Sequence, residues 1–225
     1  MMMHRRFVLA ALPLAILLTA AAPGRRLSPP APEPAPLAAT ERVAIITELG
    51  MIELALDGAH APISTANFLH YVDTRRLDGT TFYRAMHLAW GDQPNGLVQG
   101  GQRDPRRLFA PIAHEPTSQT GVRHKAGTVS MARFAPGTAT ADFSILLTDM
   151  PGLDADPASA DPETQAGYAA FGQVTAGMDV VRAIWEAPIS ATLGEGFMRG
   201  QMLDKPVKVL SVRRLPPPPA VVPAP

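Results

Sequence analysis

Apolar and polar positions alternate most clearly over residues 51–56, where Ile52, Leu54 and Leu56 are spaced by Glu53 and Ala55. A period of two is the mark of a half-buried strand. The β-branched run Arg42–Thr47 precedes it, and Gly50 lies between the two. Glycine supplies the backbone freedom of a tight turn, so the two runs predict a hairpin. The period then lengthens. Pro62 suits a first helical position, and Ile63, Phe68, Leu69 and Val72 fall on one side of a helix that should run to about Arg75. Short strands are predicted at Thr80–Arg84, Leu97–Gln99, Thr128–Arg133, Phe143–Leu147, Phe171–Val174 and Val207–Arg213. A second helix is predicted at Met178–Glu186, between Gly177 and Pro188. Seven or eight short strands with two helices do not suit a doubly wound parallel sheet. They suit a mainly β fold, a closed antiparallel β-barrel with an α-helix over each open end.

The termini carry different signals. His4, Arg5 and Arg6 precede an almost wholly apolar run from Phe7 to Ala22 that ends in small residues. This pattern predicts a signal peptide over 1–22, or alternatively a retained anchor that tethers the chain to a membrane. Either way the folded domain leaves the cytoplasm, and a periplasmic location is expected. Residues 23–39 are proline-rich and predict an extended spacer, and residues 216–225 a similar tail. The folded domain is then 40–215. Twenty basic residues balance twenty acidic ones, which gives no electrostatic reason to expect nucleic acid as a partner. The absence of cysteine excludes disulfides and thiol catalysis. Nothing demands more than a monomer.

Several segments stand in an informative order: Phe82-Tyr83-Arg84, Gln99-Gly100-Gly101, Gly127–Arg133, Asp142-Phe143-Ser144 and Phe171-Gly172. Together they resemble the cyclophilin family of peptidyl-prolyl cis-trans isomerases, especially its bacterial secreted members, over about residues 42–213. The resemblance implies an eight-stranded barrel, proline-containing polypeptides as substrates and no cofactor or metal. It puts Arg84 in the place of the catalytic arginine and Gln99 in that of the glutamine that orients it. By the same resemblance Ala132 matches a residue of the substrate groove, Leu153 a pocket leucine and Phe143 a core position; Leu97, Phe143 and Leu153 are expected as walls that hold the proline ring, with Phe82 and Tyr168 also expected at the substrate site.

The chain departs from the family at several of these positions. Gly96-Leu97-Val98 stands where the family usually has Phe, Met and an apolar residue. Asp142-Phe143-Ser144 stands in place of Gln-Phe-Phe, so Ser144 replaces the aromatic floor of the proline pocket. Gly152 replaces the aromatic residue that favours cyclosporin, and Tyr168 replaces a histidine of the animal members. Trp90, in the long segment from Ala85 to Val98, is expected to supply the missing aromatic bulk. Asp142 is expected near enough to Arg84 to pair with it and compete with substrate. A peptide-binding module with little catalysis is the alternative function. His70, His87, His114 and His124 are dispersed and read as solvent-exposed, and Asp154 as part of a solvated loop. Ser130 and Ser144 show no His–Asp partnership, which argues against a serine hydrolase.

Overall fold

The hairpin of residues 42–56 is the first pair of a closed barrel in this computed structural model, which describes residues 37–216. The expected signal segment, the spacer up to residue 36 and the tail from residue 217 lie outside the described residues. The strands are β1 (Thr40–Thr47), β2 (Gly50–Asp57), β3 (Thr81–His87), β4 (Gly96–Gly101), β5 (Thr128–Met131), β6 (Phe143–Leu146), β7 (Ala170–Ala176) and β8 (Met202–Arg214). They close in the order β1-β2-β7-β5-β6-β4-β3-β8, and every neighbouring pair is antiparallel. The helices are α1 (Pro62–Asp73), the single turns α2 (Thr117–Thr120) and α3 (Pro162–Ala166), and α4 (Met178–Trp185).

Alternation puts one residue in two inside the barrel. Ile45, Ile52, Leu54, Leu56, Val98, Val129 and Ile145 all point inward and are fully buried. Phe68 of α1 enters the same interior. Its ring meets Phe143 edge-on at 5.2 Å and Phe171 at 5.7 Å, and Phe82 meets Phe143 edge-on at 5.7 Å. Edge-to-face pairs add to the area term, and each buried phenylalanine contributes roughly 1.5–3 kcal/mol. This cluster fixes α1 over one mouth, while Val181 and Ile184 bind α4 against β2, β3 and β4.

The first turn of α1 has no side-chain cap of its own. The buried Glu115 carboxylate fills that role from far along the chain, accepting from the amides of Ile63 at 2.9 Å and Ser64 at 2.6 Å. An acceptor with negative charge is favoured there by the exposed amides and the helix dipole. The helix ends at Asp73 rather than Arg75, because Arg75 takes a φ of 54° and turns the chain. β8 starts five residues earlier than its hydrophobic pattern predicts (202 against 207), since Met202 pairs with Arg84 on β3.

Candidate active site

β3 carries one residue too many for its partners. Phe82 pairs with Gly100 of β4, but Arg84 pairs with the adjacent Gln99, so Tyr83 is left as a bulge. A bulge resets the alternation of side chains. Phe82 therefore faces the barrel interior, while Arg84 faces outward beside Gln99. The outward row continues across β6 and β5, because Gln99 pairs with Ser144, and Ser144 with Ser130. Leu97, two residues before Gln99, belongs to the same face.

Gly100 and Gly101 allow this turn of the sheet. A side chain at Gly100 would press on Phe82 at 3.0 Å and on the Thr81 carbonyl at 2.9 Å. Gly101 adopts a φ of 143°, and any β-carbon there would collide with Asp142. Only glycine accepts both demands.

Arg84 is 9% exposed and is held by neutral acceptors. Nη1 donates to Gln99 Oε1 at 2.7 Å. Nε and Nη2 both donate to Gln201 Oε1, at 2.9 and 2.6 Å, and Nη2 also lies 3.7 Å from Met86 Sδ. Burial lowers the guanidinium pKa from its ordinary value, yet an arginine keeps its proton in such a setting. The charge is therefore present, partly desolvated, and not cancelled by a carboxylate. Phe197 lies over it, with the guanidinium carbon 5.6 Å from the ring centre.

Asp142 does not pair with Arg84, contrary to the expectation from sequence. Tyr83 donates to Asp142 Oδ2 at 2.5 Å, and Gln99 Nε2 donates to Tyr83 Oη at 2.7 Å. The bulge lets Tyr83 stand between the two charges. Burial raises the carboxyl pKa of Asp142, against the Tyr83 hydrogen bond that lowers it. Its other oxygen, Oδ1, is buried without a hydrogen-bond partner. Burial, followed by the charge of Asp142, pushes the Tyr83 phenol well above its usual range, so Tyr83 is the donor. Arg103 stacks on the Tyr83 ring at 4.5 Å.

The other expected groove residues divide into two sets. Leu97 joins the outward row, though it is itself buried at 6% exposed, and Ala132, Leu153 and Tyr168 are half-buried. The amide of Tyr168 donates to the Leu153 carbonyl at 2.8 Å, which holds the two residues side by side. Arg133 stacks on the Tyr168 ring at 4.4 Å and is anchored by Glu163 at 2.9 Å. Phe82 and Phe143, by contrast, belong to the core and offer no surface to a bound peptide. They support the site from behind. The physical reason is the register: with Ser144 outward, its neighbour Phe143 must point in.

Trp90 is 67% exposed in the turn that precedes β4 and does not fill the place left by the missing aromatic. Gly96 could not carry that aromatic either. Its φ is 144°, and a β-carbon there would strike the Met86 carbonyl, which already accepts from Trp185 Nε1 at 2.9 Å.

His124 is 1% exposed, not solvent-exposed as its spacing suggests. Nδ1 is 2.8 Å from Asp154 Oδ1 and Nε2 is 2.9 Å from Ser130 Oγ. Ser130 thus has the His–Asp partnership that the sequence conceals. It is itself buried beneath the Ala169 carbonyl, with no room for an attacked carbonyl group. The three side chains act as a strut that ties the loop bearing Leu153 to β5. Burial lowers the His124 pKa, outweighing Asp154, which acts to raise it. Among the described residues no cluster of three or more His, Asp or Glu side chains could hold a metal ion.

The sequence pattern points to neither Tyr83 nor Gln201 as a part of the site. Tyr83 enters through the bulge, which no local signal marks. Gln201 reaches Arg84 across 117 positions of sequence through the pairing of β3 with β8.

Comparison with known proteins gives a consistent result. Residues 42–214 match the family model described as cyclophilin type peptidyl-prolyl cis-trans isomerase/CLD. A peptidyl-prolyl cis-trans isomerase of Acinetobacter baylyi is 37% identical over 180 residues, covering 78% of this chain and 86% of the relative. The peptidyl-prolyl cis-trans isomerase cyp18 of Streptomyces antibioticus is 39% identical over 147 residues, covering 63% of this chain and 81% of its own. In three dimensions the chain is similar to a cyclophilin type peptidyl-prolyl cis-trans isomerase of Cryptosporidium parvum. The TM-score is 0.60 over 80% of this chain and 99% of that one, at 18% identity, a likeness of fold alone.

Proposed function

This chain belongs to the cyclophilin-type peptidyl-prolyl cis-trans isomerase family, and from that premise we propose that it accelerates rotation about X–Pro bonds with Arg84 as its catalytic group. The observation that carries the reading is a buried guanidinium fixed by two amide oxygens and left without a countercharge. A peptide bond resists twisting by about 18–20 kcal/mol because the nitrogen lone pair is delocalised into the carbonyl. In X–Pro the two isomers differ by only about 0.5–1 kcal/mol, so both are populated and exchange slowly. As the bond twists, the lone pair returns to nitrogen. A guanidinium N–H can then donate to it, more strongly than to the planar imide. That difference lowers the barrier, and a partly desolvated, pre-oriented donor makes it large. No covalent intermediate is needed.

Leu97, Ala132, Leu153 and Tyr168 are the residues we assign to the peptide. Gln99 orients Arg84. Ser144 supplies less apolar surface than an aromatic floor would, which favours a weak grip on the proline ring and a modest activity. The basic and apolar N-terminal run supports export, and with it a role in the folding of exported polypeptides.

The test is cis-to-trans exchange of an X–Pro peptide followed by NMR. Wild-type protein should speed exchange, and Arg84→Ala should reduce that effect by about a hundredfold. Peptide binding with no enhancement by wild type would leave a binding module in place of an enzyme.

A further inference from the structure

The chain between α4 and β8 reaches back to Arg84. Its root is closed by the Ser190 amide, which donates to the Met202 carbonyl at 2.8 Å, and is tied to β3 by the Ala85 amide, which donates to the Gln201 carbonyl at 2.9 Å. Within this arm, Gln201 Nε2 donates to the Phe197 carbonyl at 2.9 Å. That bond fixes which end of the amide faces the guanidinium: the NH2 group is occupied, so Oε1 accepts from Nε and Nη2 of Arg84. The arrangement mirrors Gln99, whose NH2 is occupied by Tyr83 and whose oxygen accepts from Nη1.

A guanidinium has five N–H donors. Gln201 takes the Nε hydrogen and one on Nη2, the second Nη2 hydrogen faces Met86 Sδ, and Gln99 takes one on Nη1. One Nη1 hydrogen is left. Phe197, on the same arm, is 74% exposed and lies over the same guanidinium.

We propose that Gln201 is a positioning residue of the isomerase site: with Gln99 it locks the Arg84 guanidinium so that the remaining Nη1 hydrogen is the one presented to the prolyl nitrogen. This rests on the isomerase reading above. A neutral acceptor suits the task because it fixes the group without cancelling its charge. A carboxylate at the same place would fix it equally well and weaken its pull on the lone pair. The arm is therefore a working wall of the site.

The experiment compares wild type, Gln201→Leu and Gln201→Glu on an Ala–Pro peptide. It reads exchange rate at saturation, peptide affinity, and the NMR signal of Arg84 Nε–H. Gln201→Leu should slow exchange on the order of tenfold or more, with peptide affinity within about twofold and a shifted Arg84 signal. Gln201→Glu should keep the Arg84 Nε–H protected from solvent, yet slow exchange at neutral pH. Its activity should rise as acid neutralises the carboxylate, while wild type stays flat over the same range. Should the leucine variant fail to fold, the glutamate variant tests the same point by itself. If wild type is active and Gln201→Glu matches it at every pH, the positioning role is overturned. If wild type itself does not speed exchange, the isomerase reading fails first.

Discussion

Tyr83 donates to Asp142 at 2.5 Å, and this bond satisfies one oxygen of a half-buried carboxylate while the same hydroxyl accepts from Gln99. The pair replaces an ion pair by a chain of polar groups running from Asp142 through Tyr83 and Gln99 to Arg84. Tyr83→Phe removes the one donor to a carboxylate whose second oxygen already lacks a partner. The variant should lose about 1–3 kcal/mol of stability in urea unfolding, and X–Pro exchange should slow as Gln99 loses its anchor. Adding Asp142→Leu should restore part of the stability, because no unsatisfied charge then remains. Equal midpoints for wild type and Tyr83→Phe would contradict this account.

Ser144 lies in the outward row between Gln99 and Ser130. Ser144→Phe should rebuild an apolar floor for proline and tighten peptide binding by about tenfold, roughly one phenylalanine's share of buried area. Titration of a labelled Ala–Pro peptide measures it. No gain in affinity would mean that proline is held elsewhere.

The two glycines that replace aromatic residues should respond in opposite ways. Gly96→Phe meets a φ of 144° and the Met86 carbonyl, and should cost about 2 kcal/mol or more. Gly152 is exposed, with open space where a β-carbon would stand. Gly152→Trp should therefore fold normally and bind cyclosporin more tightly than wild type, as followed by indole fluorescence. A destabilised Gly152→Trp, or a harmless Gly96→Phe, would refute the assignment.

His124 predicts the sign of a pH effect. Burial holds its pKa below the ordinary 6.5 in the folded chain. The unfolded chain takes up that proton first as pH falls. Stability from this group is thus complete above the unfolded value, and declines as pH falls from there through the lower folded value. His124→Gln should flatten that decline in denaturation midpoints measured between about pH 8 and 5. Identical slopes in the two proteins would rule it out.

Local pattern reveals much of the barrel. The hairpin over residues 42–56 follows from a β-branched run, Gly50 and the alternation over 51–56, and α1 from Pro62 and the spacing of Phe68, Leu69 and Val72. Family resemblance brings Arg84 and Gln99 together, and they are in contact. Position along the chain misleads at the bulge, however. Read as an even strand, Phe82-Tyr83-Arg84 would put Phe82 and Arg84 on one face, whereas the pairing with Gly100 and Gln99 separates them. Phe143 is an expected pocket wall by residue type and a core residue by register, and register decides. Gln201 and the Ser130–His124–Asp154 strut depend on closure of distant segments. No local composition signals such contacts.

Tyr83 is surplus to the ladder, and pairing alone decides on which side of the sheet the cation lies. Excise it, and Phe82 and Arg84 become direct neighbours that still match Gly100 and Gln99 on the β4 side, while on the β8 side their partners Val207 and Met202 stay five residues apart. What vanishes is the phenol that insulates Asp142. With it goes the acceptor for Gln99 Nε2, so the grip of Gln99 on Arg84 loosens. A shortened β3 would therefore keep its ladder with β4 and lose both the donor to Asp142 and the fixed guanidinium: a residue that strand pairing does not count holds the polar chain together.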